Sequence, residues 1–172
     1  MELVNLRTIK LEDTDNILEW KNNVNVKKNF CIQDDLTKEQ HMQWLKNKVE
    51  TGEVVQFIIE SNELKKDVGS VYLRDIDNNN QKAEFGIFVG EDDARNKGIG
   101  TAATKKIIDY GFTHLKLNKI YLRVFAENTN AIRAYEKAGF EYEGTAKDHI
   151  KLPNGKYQSI IFMAIFNRIN KS

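Results

Sequence analysis

Residues 95–100 read Arg-Asn-Lys-Gly-Ile-Gly and lie between a segment of alternating apolar residues and a helical pattern. The two glycines allow the backbone to approach a ligand closely. A helix that begins here presents unpaired N–H groups and the positive end of its dipole, and Arg95 and Lys97 add full positive charge. The stretch therefore predicts an anion site, for a phosphate or pyrophosphate, on the connection between a strand and a helix.

The elements on either side of this connection predict a mixed sheet. Alternation over 83–89 predicts the strand before it, and 119–125 is the next strand, after a helix that ends near Leu115. This β–α–β passage favours one parallel crossover, whereas consecutive strands at 54–60 and 68–74 favour antiparallel pairing. The other predicted elements are strands at 3–10, 140–145 and 157–166 and helices at 12–22, 37–50 and 128–137. The predicted fold class is α/β, a mostly antiparallel mixed sheet with flanking helices.

Capping residues predict where several helices begin and end. Asp13 is a predicted N-terminal signal for the first helix, and Thr37 opens a capping box with Gln40. Asn128 is a suitable N-cap for a helix that Gly139 is expected to end.

Length and composition narrow the class of protein. With 172 residues, a single domain spanning 1–172 is expected. The 26 basic and 25 acidic residues nearly cancel, which argues against a nucleic-acid partner, because dedicated binders show a basic excess. Cys31 is the only cysteine, so no intrachain disulfide is expected, as is typical of a reducing compartment. Neither a signal peptide nor an apolar run near the ~18 residues of a membrane span is recognisable, so we expect a cytoplasmic protein without a membrane partner. The sequence does not decide whether the protein forms a homo-oligomer.

Two common phosphate loops fit the glycine segment poorly. A Walker A loop requires Lys-Ser or Lys-Thr after its last glycine, and neither Gly98 nor Gly100 is followed by that pair. Residues 98–103 match the G-x-G-x-x-[GA] fingerprint of dinucleotide-binding folds, but in those folds the first glycine directly ends a strand. Here residues 90–97 intervene, which leaves a Rossmann-type module as a disfavoured alternative.

A third interpretation rests on a resemblance carried by two segments. Arg95-x-x-Gly98-x-Gly100 resembles the R/Q-x-x-G-x-G/A motif of the GNAT superfamily of N-acetyltransferases. Residues 128–140 read Asn-x-x-Ala-Ile-x-x-Tyr-Glu-Lys-x-Gly-Phe, which is similar to that family's second signature. The resemblance implies the GNAT fold, with one parallel strand pair that splays apart, and transfer of the acetyl group of acetyl-CoA to a primary amine. Acetyl-CoA is the implied co-substrate, and no metal is expected because no His, Cys and Asp spacing suggests one.

The resemblance also implies where the coenzyme binds. Its pyrophosphate is expected on the N–H groups of 97–101, and its amide-rich pantetheine arm on the edge of strand 85–89, splayed from 121–125. Gly86 is predicted to mark the irregular point, because a glycine within a strand is typical of a bulge. The residues implied to bind acetyl-CoA are Phe85, Ile87, Phe88, Val89, Arg95, Asn96, Lys97, Gly98, Ile99, Gly100, Thr101, Asn128 and Lys137.

Two side chains are the candidate catalytic residues. Tyr135 matches the family's tyrosine and is the predicted general acid, which would protonate the CoA thiolate that direct attack by an amine expels. Its spacing with Ala131 and Ile132 is also that of a tyrosine packed in the core. Glu84, on the strand that leads into the site, is the predicted general base; a solvated glutamate with water as the base is the alternative.

The acceptor amine is the least determined part of the prediction. The candidate substrate-binding residues are Trp20, Asn22, His41 and Glu84. Residues 20–28 and 39–45 look like enzymes that acetylate a 4-amino group on a nucleotide-linked sugar, and the lysines there suit an anionic nucleotide. From residue 83 onward the chain also resembles bacterial spermidine acetyltransferases. A nucleotide-linked amino sugar is therefore the main prediction, with a polyamine, a ribosomal-protein N-terminus, or an acetyl-CoA-binding module without turnover as alternatives.

Overall fold

The computed structural model describes residues 2–168, and in that part of the chain seven strands form one sheet in the order β1-β2-β3-β4-β5-β7-β6. The strands are β1 (Val4–Thr8), β2 (Val55–Ser61), β3 (Lys66–Asp77), β4 (Lys82–Val89), β5 (Lys119–Phe125), β6 (Glu141–Lys151) and β7 (Tyr157–Phe166). The α-helices are α1 (Thr14–Asn22), α2 (Val24–Lys27), α3 (Lys38–Trp44), α4 (Ile99–Thr113) and α5 (Thr129–Ala138), and a π-helical segment (Leu45–Val49) continues α3. None of these helices has the length and apolar character needed to cross a membrane.

Helices cover both faces of the sheet because successive side chains of a strand point to opposite sides. In β4, Phe85 belongs to the core cluster that includes Ile107 of α4 and packs against α5. Phe88 points to the other face, where it packs with Ile17 and Trp20 of α1. The sheet thus separates a layer of α4 and α5 from a layer of α1, α2 and α3, and β4 contributes to both cores.

The central strands β4 and β5 are parallel and diverge. Their pairing runs only from Lys82–Lys119 to Glu84–Tyr121, whereas β5 pairs with β7 over its whole length. Beyond Glu84 the free edge of β4 opens toward the helical layers. This arrangement confirms the predicted mixed sheet with one splayed parallel pair.

The predicted bulge at Gly86 is wrong. Gly86 lies beside the point of divergence, but it pairs in register with Tyr72 of β3. A Cβ atom on Gly86 would lie 2.3 Å from the Tyr72 ring, so the glycine is required for close approach of a side chain.

Two of the three predicted N-terminal caps are confirmed, and Gly139 ends α5 as predicted, with φ 104°. Thr37 and Gln40 form the reciprocal capping box of α3, and the side chain of Asn128 accepts a hydrogen bond from the N–H of Ala131 in α5. Asp13 stands before α1 but does not cap it. Its carboxylate instead accepts hydrogen bonds from the Lys10 N–H and the Arg7 guanidinium, because a nearby arginine competes for the same oxygens.

Strands β3 and β6 extend further than the sequence predicts, to Asp77 and Lys151. Most side chains of β6 are exposed, so its second half carries no apolar alternation that a sequence pattern could detect. Main-chain pairing with β7 holds this strand, with an irregularity between Ala146 and Ile150.

Candidate active site

A cleft of about 1660 Å³ lies where β4 and β5 diverge. Its walls come from β4, residues 95–100 (the glycine loop), the start of α5, the layer of α1 to α3 and the loop that joins α2 to α3. Among the residues predicted from the sequence, those that line it are His41, Glu84, Phe85, Ile87, Phe88, Val89, Arg95, Asn96, Gly98, Ile99, Gly100, Thr101, Asn128 and Tyr135. The fold therefore brings both predicted catalytic residues and most of the predicted coenzyme residues to one opening.

Trp20 and Asn22, predicted to bind substrate, lie behind the cleft wall. The buried indole of Trp20 donates a hydrogen bond to Glu91 Oε1 at 2.8 Å. Asn22 Oδ1 accepts a hydrogen bond from the Leu36 N–H at 2.7 Å, and Asn22 Nδ2 donates one to the Leu36 carbonyl at 2.9 Å. Both side chains thus hold in place the elements that form the cleft, and neither side chain faces into it.

Two of the predicted coenzyme residues also lie outside the cleft lining. The Lys97 ammonium pairs with Glu63 at 3.0 Å, and Lys137 is exposed in the last turn of α5. Asn128 does line the cleft, but its amide is engaged twice. It caps α5 at Ala131 N–H, and its Nδ2 donates to Asn29 Oδ1 at 3.3 Å.

The glycine loop forms an anion-binding helix start. Gly98 is the N-cap of α4, with φ 76° and ψ 0°, a left-handed conformation that strains any residue with a Cβ atom. The first hydrogen bond of the helix runs from the Ala102 N–H to the Gly98 carbonyl, so the amides of 99–101 have no partner within the helix. Open space surrounds the position that a Cβ atom on Gly100 would occupy. These features fit a phosphate group on the N-terminus of α4.

Arg95 lies against the end of β4 instead of extending freely. Its guanidinium pairs with Asp92 at 2.6 Å and donates to the carbonyl oxygens of Val89 and Gly90 at 3.4 and 3.3 Å. The side chain ties the loop to β4 and keeps a positive charge beside the start of α4.

The Tyr135 side chain extends from α5 to the cleft, and its ring packs against two phenylalanine rings. The ring meets Phe85 edge-on at 5.8 Å between centroids and Phe140 at 6.0 Å. Burial, with a smaller effect of Tyr72, raises the pKa of the phenol, so Tyr135 stays protonated near neutral pH. No described residue forms a hydrogen bond with its hydroxyl group, which leaves that proton available to a molecule in the cleft.

Glu84 is buried and shared between two arginines. Its Oε1 accepts from Arg123 at 2.8 Å, and its Oε2 accepts from Arg74 and Arg123, each at 3.2 Å. Burial alone would raise the pKa of the carboxyl, but the hydrogen bonds from Arg123 and Arg74 hold this pKa below its ordinary value. A carboxylate with both oxygens engaged and a lowered pKa is a weak base, so this geometry favours a role in holding the two arginines.

Arg74 and Arg123 line the cleft and were not singled out by the sequence. A signal existed, because Glu84 and Arg123 are opposite charges that lie between the apolar positions of two neighbouring parallel strands. Lys21 is a further cation of the lining, with its ammonium 5.3 Å from the Phe30 ring centroid. No carboxylate of the described residues pairs with Lys21, whereas Arg74 and Arg123 share Glu84, and Arg74 also lies 4.0 Å from Asp75.

Replacing Glu84 by glutamine is expected to lower the free energy of unfolding at pH 7 by about 2 kcal/mol, because Arg74 and Arg123 lose their shared carboxylate. A fully buried pair would cost more, but the two guanidinium groups are 33% and 34% exposed and are therefore screened by solvent. Since folding lowers the pKa of Glu84, its contribution is present above the ordinary value of 4.5 and is lost as the pH falls below it. Urea unfolding of both proteins at pH 7 and pH 3.5 measures the difference.

The matched control is Glu141→Gln, which removes an exposed carboxylate paired with an exposed arginine, Arg168. It should change the free energy of unfolding by less than about 1 kcal/mol. If Glu84→Gln leaves stability unchanged and instead removes the acidic limb of the kcat/KM profile, Glu84 is the general base that the sequence predicts.

Comparison with known proteins agrees with this geometry. The chain matches the model of the Acetyltransferase (GNAT) domain over residues 4–141. It is 40% identical over 111 residues to spermidine N(1)-acetyltransferase of Escherichia coli, an alignment that covers 64% of this chain and 58% of that protein. It is 30% identical over 170 residues to N-acetyltransferase p20 of Bacillus licheniformis, covering 97% and 94% of the two chains.

Solved structures show the same likeness over nearly the whole chain. Spermidine N-acetyltransferase from Vibrio cholerae, in complex with CoA and spermine, superposes with a TM-score of 0.88 at 28% identity and covers 96% of each chain. A dodecameric structure of that Vibrio protein superposes with a TM-score of 0.81. The two motifs, the splayed sheet and these matches together establish that the chain belongs to the acetyltransferase (GNAT) domain family.

Proposed function

We propose that this protein transfers the acetyl group of acetyl-CoA to a primary amine of a small molecule by direct attack. The observation that carries the proposal is that the Tyr135 hydroxyl and the anion-binding start of α4 line the same cleft at the divergence of β4 and β5. The amides of 99–101 would hold the pyrophosphate, and the free edge of β4 would pair with the amides of the pantetheine arm.

In the chemical step, Tyr135 acts as the acid and water acts as the base. The neutral amine attacks the thioester carbon, the carbon–sulfur bond breaks, and Tyr135 gives its proton to the leaving thiolate. The new amide nitrogen loses its extra proton to solvent, and the Tyr135 phenolate is reprotonated from solvent. Because Glu84 is held by Arg74 and Arg123, water rather than this carboxylate serves as the base.

We further propose a polyamine of the spermidine class as the acceptor. The relatives described above support this alternative better than the nucleotide-linked amino sugar that residues 20–45 predict. The rim of the cleft also carries carboxylates that a polycation requires, on Asp34, Asp35 and Asp75. Asp35 pairs with Lys27, and Asp75 makes only a long contact of 4.0 Å with Arg74. Asp34 and Asp75 are both exposed, so each can meet a ligand.

One observation favours a second candidate, an amine that carries an anionic group, such as a nucleotide-linked amino sugar. Arg74 and Arg123 both pair with Glu84, and Lys21, which pairs with no described carboxylate, lies near enough to Arg74 for the two charges to repel, so the positive charge around Glu84 exceeds the negative charge. Such a cluster attracts phosphate and repels a polyamine. The two candidates thus differ in the charge of the side chains that would hold them.

An acetyl-transfer screen that follows CoA release distinguishes these acceptors. Spermidine, a UDP-linked 4-amino sugar and an N-terminal peptide are each tested with the wild type and with two variants, Asp75→Asn and Lys21→Gln. For a polyamine acceptor, spermidine is turned over, and Asp75→Asn raises its KM by about 3-fold, whereas Lys21→Gln does not. Turnover confined to the amino sugar, with KM raised by Lys21→Gln, would replace the polyamine. Acetyl-CoA binding without turnover of any amine would identify a binding module.

We also propose that the protein self-associates, as the dodecameric Vibrio cholerae relative does. The exposed strand β6 forms one edge of the sheet and carries Tyr142 at its surface, with Tyr157 exposed on the adjacent strand β7. Light scattering during size-exclusion chromatography measures the mass, and a monomer at micromolar concentration would contradict the proposal.

A further inference from the structure

His41 of α3 is a buried residue in the wall of the cleft. Its side chain belongs to the cleft lining, and the residue is only 2% exposed. One ring nitrogen, Nδ1, lies 3.1 Å from the hydroxyl oxygen of Thr14 in α1. The ring is therefore fixed between α3 and α1, with its second nitrogen, Nε2, on the opposite edge.

The hydrogen bonds around Thr14 define the tautomer of His41. The Thr14 hydroxyl donates its single proton to the Leu11 carbonyl at 2.7 Å, so toward His41 its oxygen acts as an acceptor. Nδ1 therefore carries the ring proton, and Nε2 presents a lone pair. Burial, with a smaller effect of the Lys21 charge, lowers the pKa of His41 to about 4, which keeps the ring neutral at pH 7.

Nε2 of His41 is left without a partner: Lys21 is close enough for its charge to act on the ring but donates no hydrogen bond to it, and two other polar side chains of the lining, Trp44 and Gln56, are paired. Trp44 Nε1 donates to Gln56 Oε1 at 2.9 Å, and Gln56 Nε2 donates to Ser70 Oγ at 3.0 Å. Within residues 2–168, His41 Nε2 is the one buried side-chain nitrogen or oxygen that lacks a hydrogen bond. Buried polar atoms are rarely left in that state unless a ligand or another function accounts for them.

We propose that His41 Nε2 accepts a hydrogen bond from an N–H or O–H group of the acceptor molecule and so positions its reacting amine. This inference rests on the proposed acetyl transfer and adds a requirement to it. Because Nε2 in this tautomer only accepts, the acceptor must bring a polar hydrogen to it, and a group other than the reacting amine can supply that hydrogen while the amine attacks. The secondary amine of spermidine and the hydroxyl groups of an amino sugar are both groups of this kind.

Nitrogen NMR of the imidazole rings tests the hydrogen bond directly. The chain has only three histidines, so His114 and His149 serve as internal references. The protein is saturated with CoA, which cannot transfer an acetyl group, and is titrated with spermidine while calorimetry follows binding. The Nε2 resonance of His41 should move to the position of a hydrogen-bonded acceptor, with the proton retained on Nδ1.

The same titration separates a failure of this inference from a failure of the proposed acceptor. If spermidine does not bind, the polyamine proposal fails, and the UDP-linked 4-amino sugar is titrated in its place. If either molecule binds without moving the His41 Nε2 resonance, the inference about His41 is overturned.

Two variants of His41 provide a second test, because their amide groups reach different positions. His41→Asn keeps a donor for Thr14 and removes the acceptor at the Nε2 position, so the KM of the acceptor should rise about tenfold. His41→Gln places an amide oxygen near the Nε2 position and should recover part of that loss. The KM of acetyl-CoA should stay within about twofold of wild type in both. Equal acceptor KM values in the wild type and His41→Asn, at equal thermal stability, would overturn the inference.

Discussion

Replacing Tyr135 by phenylalanine is expected to lower kcat by at least about 100-fold, with the KM of acetyl-CoA within about twofold of wild type. The substitution removes the proton donor for the departing thiolate but keeps the ring that packs on Phe85 and Phe140. The hydroxyl group forms no hydrogen bond with the described residues, so the free energy of unfolding should change by less than about 1 kcal/mol. Steady-state kinetics and urea unfolding measure the two effects.

The control for Tyr135 is Tyr142→Phe, which deletes an exposed hydroxyl group whose partner is Thr145 on β6. Its kcat should equal that of the wild type. An unchanged kcat in Tyr135→Phe would show that the thiolate leaves without this phenol, and Tyr135 would then be a packing residue of α5.

Replacing Gly100 by valine is expected to weaken acetyl-CoA binding about 30-fold or more while leaving the fold intact. Apart from the adjoining residues and the backbone of α4 itself, no heavy atom lies within 4 Å of the Cβ position on Gly100, and its φ angle lies outside the left-handed region. The free protein therefore accommodates the side chain, but the isopropyl group occupies the space in front of the amides of 99–101. Calorimetry with CoA measures the affinity, and thermal unfolding checks the fold.

A matched control exists in Gly144→Val, since Gly144 also has open space at its Cβ position and lies on β6, away from the cleft. CoA affinity should be unchanged there. Gly98→Ala provides a contrast, because φ at Gly98 is +76° and the alanine should reduce stability as well as affinity. Wild-type affinity in Gly100→Val would place the pyrophosphate elsewhere.

Much of the fold could be predicted because its signals are local. The glycine loop, the capping box at Thr37 and the Asn128 cap each act within a few residues of sequence, and each appears where the pattern predicts. The single parallel pair followed from the β–α–β passage around α4. Gly86 shows the limit of such reasoning. A glycine is required there because the ring of Tyr72 lies against it, and only the sheet register brings that neighbouring strand near.

The acceptor side could not be predicted to the same depth, since its contacts join distant parts of the chain. Glu84 meets Arg74 ten residues before it and Arg123 thirty-nine residues after it, on three adjacent strands. Likewise, the Asn22 amide bonds Leu36 across a loop without periodicity, so the residue supports the cleft from behind. A sequence shows that such residues are polar, but their partners depend on the packing of α1 and the loop that joins α2 to α3.

The divergence of β4 from β5 has a consequence for association with other chains. Beyond Glu84, the edge of β4 carries main-chain groups that β5 does not satisfy. On the outside of a protein, such an edge invites strand pairing with a second polypeptide and thus aggregation. Here it lies inside a cleft between helical layers. The protein can thereby reserve a strand-like docking edge for one slender extended molecule, and a second polypeptide is kept from pairing with it.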